Sequence, residues 1–221
     1  MSRPQRVVVV FGTATEIGKT WFGAATITEL VSHGVGVAAR KPAQSFDPDD
    51  PHPTDAEVLA AATGEDPALV CPSHRWLRVA LAPPMAADRL GLPPVLLADL
   101  VAEVEQSWAD GASGPATRVG WVETVGGPRS PIAHDGDGVD LARALGAQHL
   151  VLVADASLGT LNAVRSSLAV LEPLGVPVTV ALNRFDEADP LQVENLRWLR
   201  DLDGLDVVTS PEALATRVQE G

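Results

Sequence analysis

The run Val7-Val8-Val9-Val10-Phe11-Gly12-Thr13-Ala14-Thr15-Glu16-Ile17-Gly18-Lys19-Thr20 holds the residues best suited to chemistry. An apolar, β-branched stretch enters a glycine-bounded turn that closes on Gly-Lys-Thr, where a helical pattern begins. At such a strand–loop–helix junction the backbone N–H groups of the loop converge, and the following helix adds its positive dipole end. Lys19 supplies a mobile cation, and Thr20 a hydroxyl suited to a Mg²⁺ ion bridging the β- and γ-phosphates of a nucleotide. Gly12 precedes Gly18 by six positions, one more than the strict phosphate-loop pattern. The context therefore carries the reading, a buried strand before the loop and a helix after it. Thr13, Ala14, Glu16, Ile17 and Gly18 are expected to line the nucleotide together with Lys19 and Thr20. The chain reads as a nucleotide-binding protein.

Further candidates follow the other strand-like runs. In Arg40-Lys41-Pro42-Ala43-Gln44-Ser45, Pro42 stiffens the chain and Lys41 stands where a second cation reaches a γ-phosphate. Thr54 and Glu57 have capping-box spacing, which structure alone explains. Asp55 between them suits either the helix dipole or a Mg²⁺ ion beside a triphosphate. Val119-Gly120-Trp121-Val122-Glu123 ends a buried apolar strand in an acid, the Walker-B position, where a carboxylate holds or orients Mg²⁺.

The elements that must position these groups alternate along the chain. Strand-like runs occupy residues 7–11, 35–39, 119–123, 149–154 and 176–182, with a weaker one at 205–208. Leu97, Leu100, Val101, Val104 and Trp108 share one helical face, as do Leu161, Val164, Leu168 and Leu171. Short apolar strands separated by helices predict a doubly wound α/β fold, its mostly parallel sheet covered on both faces. The proline-rich pieces at 47–53 and 81–94 read as loops. No linker or repeat divides the chain, so residues 1–221 are expected to form a single P-loop NTPase-type domain. Ligands of such sheets gather beyond the carboxyl ends of the strands.

Composition narrows the partners. Sixteen Lys and Arg against 29 Asp and Glu give a formal charge of −13. That balance argues against nucleic acid and anionic membranes, which need clustered cations. Cys71 is the only cysteine, so neither an internal disulfide nor a thiolate metal cluster can form. No signal peptide and no run of about 18 apolar residues is visible, which predicts a cytoplasmic protein. His33, His52, His74, His134 and His149 show no mutual spacing of a metal site and read as surface or core residues.

Several segments in order carry a resemblance. They are the loop from Gly12 to Thr20, Lys41-Pro42, Thr54-Asp55-Ala56, Val122-Glu123 with Gly126-Gly127, Ser157-Leu158-Gly159-Thr160-Leu161-Asn162, and Leu182-Asn183. Together they resemble dethiobiotin synthetase of the biotin pathway, over nearly the whole chain. That family's own P-loop carries the extra residue noted above. The resemblance implies an enzyme that carbamates an amine of 7,8-diaminopelargonate with CO₂, phosphorylates the carbamate from Mg·ATP, and closes a ureido ring. It implies phosphate and Mg²⁺ on Lys19 and Thr20, with Asp55 and Glu123 completing the metal shell. Lys41 would offset charge spreading from the γ-phosphoryl group. Thr15 and Ser45 would hydrogen-bond the carbamate, and Asn183 would read the base. The substrate carboxylate would sit on the helix start 158–162 (Leu158, Gly159, Thr160, Asn162) of a neighbouring subunit, which implies a homodimer.

Departures from the family pattern concentrate on the substrate side. Thr124-Val125 replaces two small residues after Glu123, an exchange expected to narrow the substrate floor or shift the loop. Phe46 stands where a glycine usually follows the Ser45 position, and Ser157 where a glycine is common. Two alternatives stand beside this reading: a paralogous P-loop ligase with a different carboxylate substrate, and a regulatory P-loop ATPase.

Overall fold

The computed structural model describes residues 3–110 and 118–220. In chain order its strands are β1 (Arg6–Gly12), β2 (Val37–Arg40), β3 (Gln44–Ser45), β4 (Trp76–Leu77), β5 (Val119–Glu123), β6 (Pro131–Ala133), β7 (Gly136–Asp137), β8 (His149–Asp155), β9 (Val178–Asn183) and β10 (Asp206–Val208). The helices are α1 (Lys19–Ser32), α2 (Asp55–Thr63), α3 (Pro67–Val70), α4 (Pro83–Leu90), α5 (Leu97–Asp110), α6 (Gly138–Ala144), α7 (Thr160–Leu171), α8 (Pro190–Arg197) and α9 (Pro211–Glu220). Six strands form one parallel sheet in the order β10-β9-β8-β1-β5-β2. The expected doubly wound architecture is present, and each of the six expected strands forms with modest shifts at its ends.

Alternation along β1 divides the core. Val7, Val9 and Phe11 pack on one face with Leu100, Val104 and Trp108 of α5, Leu141 of α6, and Val164 and Leu171 of α7. Val8 and Val10 pack on the other with Phe22, Ile27 and Leu30 of α1, Leu59 of α2 and Leu214 of α9. A strand buried on both faces needs no polar alternation, which is why the sequence shows continuous apolar runs. Leu161 and Leu168 also pack against the first cluster, so the apolar stripe of α7 covers the sheet.

Residues 47–53 form no regular element, as expected, but the loop reading of 81–94 fails because α4 lies inside it. Pro83 and Pro84 occupy its first turn, where a missing N–H costs nothing, and Gly91 ends it in the left-handed region at φ 66°. No helix of the described residues is long and apolar enough to cross a membrane.

Strand order positions the site. β5 lies between β1 and β2, with Val10 opposite Glu123 and Arg40 opposite Val122. Three adjacent strands therefore end together, bringing the P-loop, Glu123 and Lys41 to one edge.

Candidate active site at the carboxyl ends of the strands

The loop after β1 is tied down from several sides. Gly12 N–H donates to the Gly126 carbonyl at 3.0 Å, and Thr13 N–H to the Val153 carbonyl at 2.9 Å. The loop turns through two left-handed residues, Glu16 (φ 58°) and Gly18 (φ 87°). Asn183, at the end of β9 and 3% exposed, donates Nδ2 to the Ile17 carbonyl at 2.9 Å. A Cβ on Gly18 would collide with that amide, so glycine is required there by conformation and by space. The Asn183 Oδ1 is buried and without a partner among the described residues.

Lys41, Asp55, Glu123 and Thr20 form one cluster. Lys41 Nζ lies 2.7 Å from both Glu123 Oε1 and Asp55 Oδ2, and donates to the Thr124 carbonyl at 3.1 Å. Thr20 Oγ1 lies 2.7 Å from Asp55 Oδ1 and 2.9 Å from Glu123 Oε1. Glu123 is fully buried and Lys41 is 2% exposed. Burial disfavours the charged lysine, yet the Asp55 and Glu123 carboxylates outweigh it and raise the Lys41 pKa above the ordinary lysine value. Burial likewise opposes ionisation of Asp55, and Lys41 overrides it, so the Asp55 pKa falls below the usual carboxylate range. Among the described residues Lys19 has no such direct partner; burial dominates and lowers its pKa, against the pull of Glu123.

The donor set fits Mg²⁺. Two carboxylates and a hydroxyl are the hard oxygen ligands that ion takes. The Thr20 hydroxyl has one proton for two carboxylate oxygens, and Glu123 Oε2 is buried without a partner among the described residues. Oxygen lone pairs thus outnumber the donors that could satisfy them.

The other expected residues are more scattered. Thr15 is exposed in the P-loop, beside the Gly126 turn. Ser45 pairs with Leu77 between β3 and β4, and its hydroxyl donates to the Leu81 carbonyl. Leu158, Gly159 and Asn162 are exposed at the start of α7, whereas Thr160 is buried with its Oγ1 unpartnered among the described residues. No hydrogen bond or ion pair among the described residues joins Thr15, Ser45 or the 158–162 segment to the Lys41 cluster.

The departures resolve differently than their residue types suggest. Thr124 is buried, with both its N–H and its hydroxyl donating to the Val10 carbonyl at 3.0 and 2.8 Å. Val125 packs against the core. The Thr124 side chain is thus turned into the sheet rather than over a substrate floor. Phe46 packs edge-on against Trp76 with ring centroids 6.3 Å apart.

Gln44 is a residue that sequence reasoning passed over. It is 2% exposed, and its Oε1 accepts from the Ala56 N–H at 3.0 Å, anchoring the start of α2 beside Asp55. Its only signal was a polar residue two places after Pro42, too weak to single out.

A parallel sheet with this strand order, a glycine-bounded phosphate loop after β1 and an acid closing the adjacent strand define a doubly wound α/β protein of the P-loop NTPase type. A family model described as an AAA domain matches residues 6–213. The chain is 35% identical to the ATP-dependent dethiobiotin synthetase BioD of Haloferax mediterranei, over 91% of this chain and 82% of that one. It is 36% identical to the enzyme of the same name from Rhodococcus jostii, over 96% of this chain and 88% of that one. The chain belongs to the ATP-dependent dethiobiotin synthetase family. Among solved structures, a DUF1611 family protein from Anabaena variabilis matches with a TM-score of 0.60 at 18% identity, covering 99% of this chain and 58% of that one. The signal recognition particle receptor FtsY of Elizabethkingia anophelis in complex with GDP matches with a TM-score of 0.52 at 16% identity, covering 89% of this chain and 54% of that one. Both share the fold.

Proposed function

We propose that this chain, acting as one nucleotide-binding domain, is an ATP-dependent dethiobiotin synthetase. An amine of 7,8-diaminopelargonate adds to CO₂ and loses a proton, giving a carbamate. A carbamate oxygen attacks the γ-phosphorus of ATP and ADP leaves. The second amine then attacks the activated carbonyl carbon, phosphate leaves, and the ureido ring closes. The observation that carries this reading is Lys41, a cation buried beside the P-loop and held by Glu123 and Asp55 at 2.7 Å each. A charge fixed before the reaction stabilises the spreading phosphoryl charge without reorganising.

Lys19 and the N–H groups of residues 14–18 would hold the phosphates, with Asn183 keeping the loop in shape and reading the base. Thr20, Asp55 and Glu123 would hold Mg²⁺, which when bound neutralises charge between the phosphates. Thr15 and Ser45 would orient the carbamate. The exposed helix start at Leu158, Gly159 and Asn162 would hold the substrate carboxylate of a second subunit, making the protein a homodimer of the cytoplasm. Its N–H groups favour an anion. A coupled assay tests the proposal: ADP release should require ATP, Mg²⁺, bicarbonate and diaminopelargonate together. Release independent of the diamine would refute it.

One feature favours a second reading, a related ligase acting on a different carboxylate. Phe46 and its partner Trp76 place aromatic bulk beside Ser45, where the family pattern has glycine. Turnover with another amino-carboxylate and none with diaminopelargonate would select it.

A further inference from the structure

The opposite end of the sheet holds a second cleft. At the amino ends of β1, β8, β9 and β10, a cavity of about 340 Å³ is lined by residues that include Arg6, His149, Thr179, Asp206, Arg217 and Glu220. His149 is 7% exposed, and its Nε2 lies 2.9 Å from Thr179 Oγ1. Thr179 Oγ1 donates to Asp206 Oδ2 at 2.7 Å, and Arg217 Nε donates to Asp206 Oδ1 at 2.9 Å.

This chain of contacts fixes a tautomer. A carboxylate only accepts, so the single hydroxyl proton of Thr179 goes to Asp206, and the hydroxyl oxygen accepts from His149 Nε2–H. Nδ1 is left with a lone pair and has no partner among the described residues. Burial, and then the charge of Arg6, lower the His149 pKa against the opposing pull of Asp206, which favours the neutral ring that the hydrogen-bond chain requires. Arg6 donates one N–H to the Val218 carbonyl at 2.7 Å, and its remaining guanidinium N–H groups have no partner among the described residues. The cavity therefore offers an acceptor and a donor. Arg6 and Arg217 balance Asp206 and Glu220, so its wall has no net charge to attract an ion.

We propose that this cavity binds the cis-amide edge of a small neutral ring, the ligand N–H donating to His149 Nδ1 and its carbonyl accepting from Arg6. Cyclic ureides and nucleobases both carry that edge. The inference concerns the end of the sheet away from the P-loop and does not depend on the proposed reaction.

The test titrates the isotope-labelled full chain with 2-imidazolidinone and, separately, uracil, following backbone amide resonances. At least one probe should give saturable shifts at Gln148, His149 and Thr179. His149→Phe and Arg6→Met should each weaken binding about tenfold or more, with melting curves showing the variants folded and ATP turnover unchanged. A response to 2-imidazolidinone alone assigns a ureide, to uracil alone a nucleobase, and to both the shared edge. The absence of saturable shifts at these residues with both probes would overturn the proposal. So would undiminished binding in either folded variant.

Discussion

Replacing Lys41 with methionine probes the strand-end site where it is most constrained, keeping most of the stem while deleting the charge. The native Nζ lies 2.7 Å from Glu123 Oε1, and Glu123 is 0% exposed. Removing one partner of a buried pair costs about 3–5 kcal/mol, because the other charge is left unpaired. The Asp55 side chain is 41% exposed, so solvent screens its share, and that pair adds no more than the ~0–1 kcal/mol of a surface ion pair. At about 2–4 °C per kcal/mol for a chain of this size, the total of about 3–6 kcal/mol should lower Tm at neutral pH by about 6–24 °C. The pH dependence has a definite sign. The depressed Asp55 pKa stabilises the native protein above the ordinary aspartate pKa, a contribution lost as pH falls through the lower folded value. The raised Lys41 pKa stabilises it below the ordinary lysine pKa, a contribution lost as pH climbs through the higher folded value. The variant lacks the Asp55 contribution that Lys41 supplies, so as acid removes it from the native protein the deficit in Tm should narrow toward acidic pH. Thermal melts of both proteins from acidic to mildly alkaline pH measure this directly. A deficit under about 2 °C at neutral pH, or one that acid does not narrow, would refute the reasoning. In steady-state assays kcat should fall by about 10²–10³ while ATP affinity changes far less.

Three further outcomes are expected. Gly18→Ala forces a left-handed alanine, costing about 1–2 kcal/mol before its collision with the Asn183 amide. Calorimetry should show ATP affinity reduced about tenfold or more, and unchanged affinity would mean the loop tolerates a Cβ. Glu123→Gln should raise the Mg²⁺ concentration for half-maximal activity, because an amide brings no charge to the ion; an unaltered Mg²⁺ titration would make that acid structural. Mixing inactive Lys19→Ala and Asn162→Asp proteins with verified subunit exchange should restore activity to about half the sites of each mixed dimer, which has one site with both lesions and one with neither. If no activity returns, the site is not shared between subunits.

Much of this protein is written locally. The loop from Gly12 to Thr20 is legible because its glycines, lysine and threonine act on their own neighbours, and Val7–Val10 and Val119–Glu123 because a doubly buried strand must be apolar throughout. Lys41, Asp55 and Glu123 are legible one at a time, as strand-end or helix-start groups. Pro83 and Pro84 misled, since the same residue opens a helix or breaks one according to where the first turn falls.

Tertiary structure alone decided which of these groups meet. The insertion of β5 between β1 and β2 sets Glu123 between the P-loop and Lys41, and no residue of β5 encodes which strands lie beside it. The inward turn of Thr124 onto Val10 and the reach of Asn183 to Ile17 depend on strands more than a hundred residues apart in sequence. Side-chain type and spacing declare what a residue can do. Its partners are chosen by the hydrogen-bonded register and close packing of the whole sheet, a cooperative property that no local window contains.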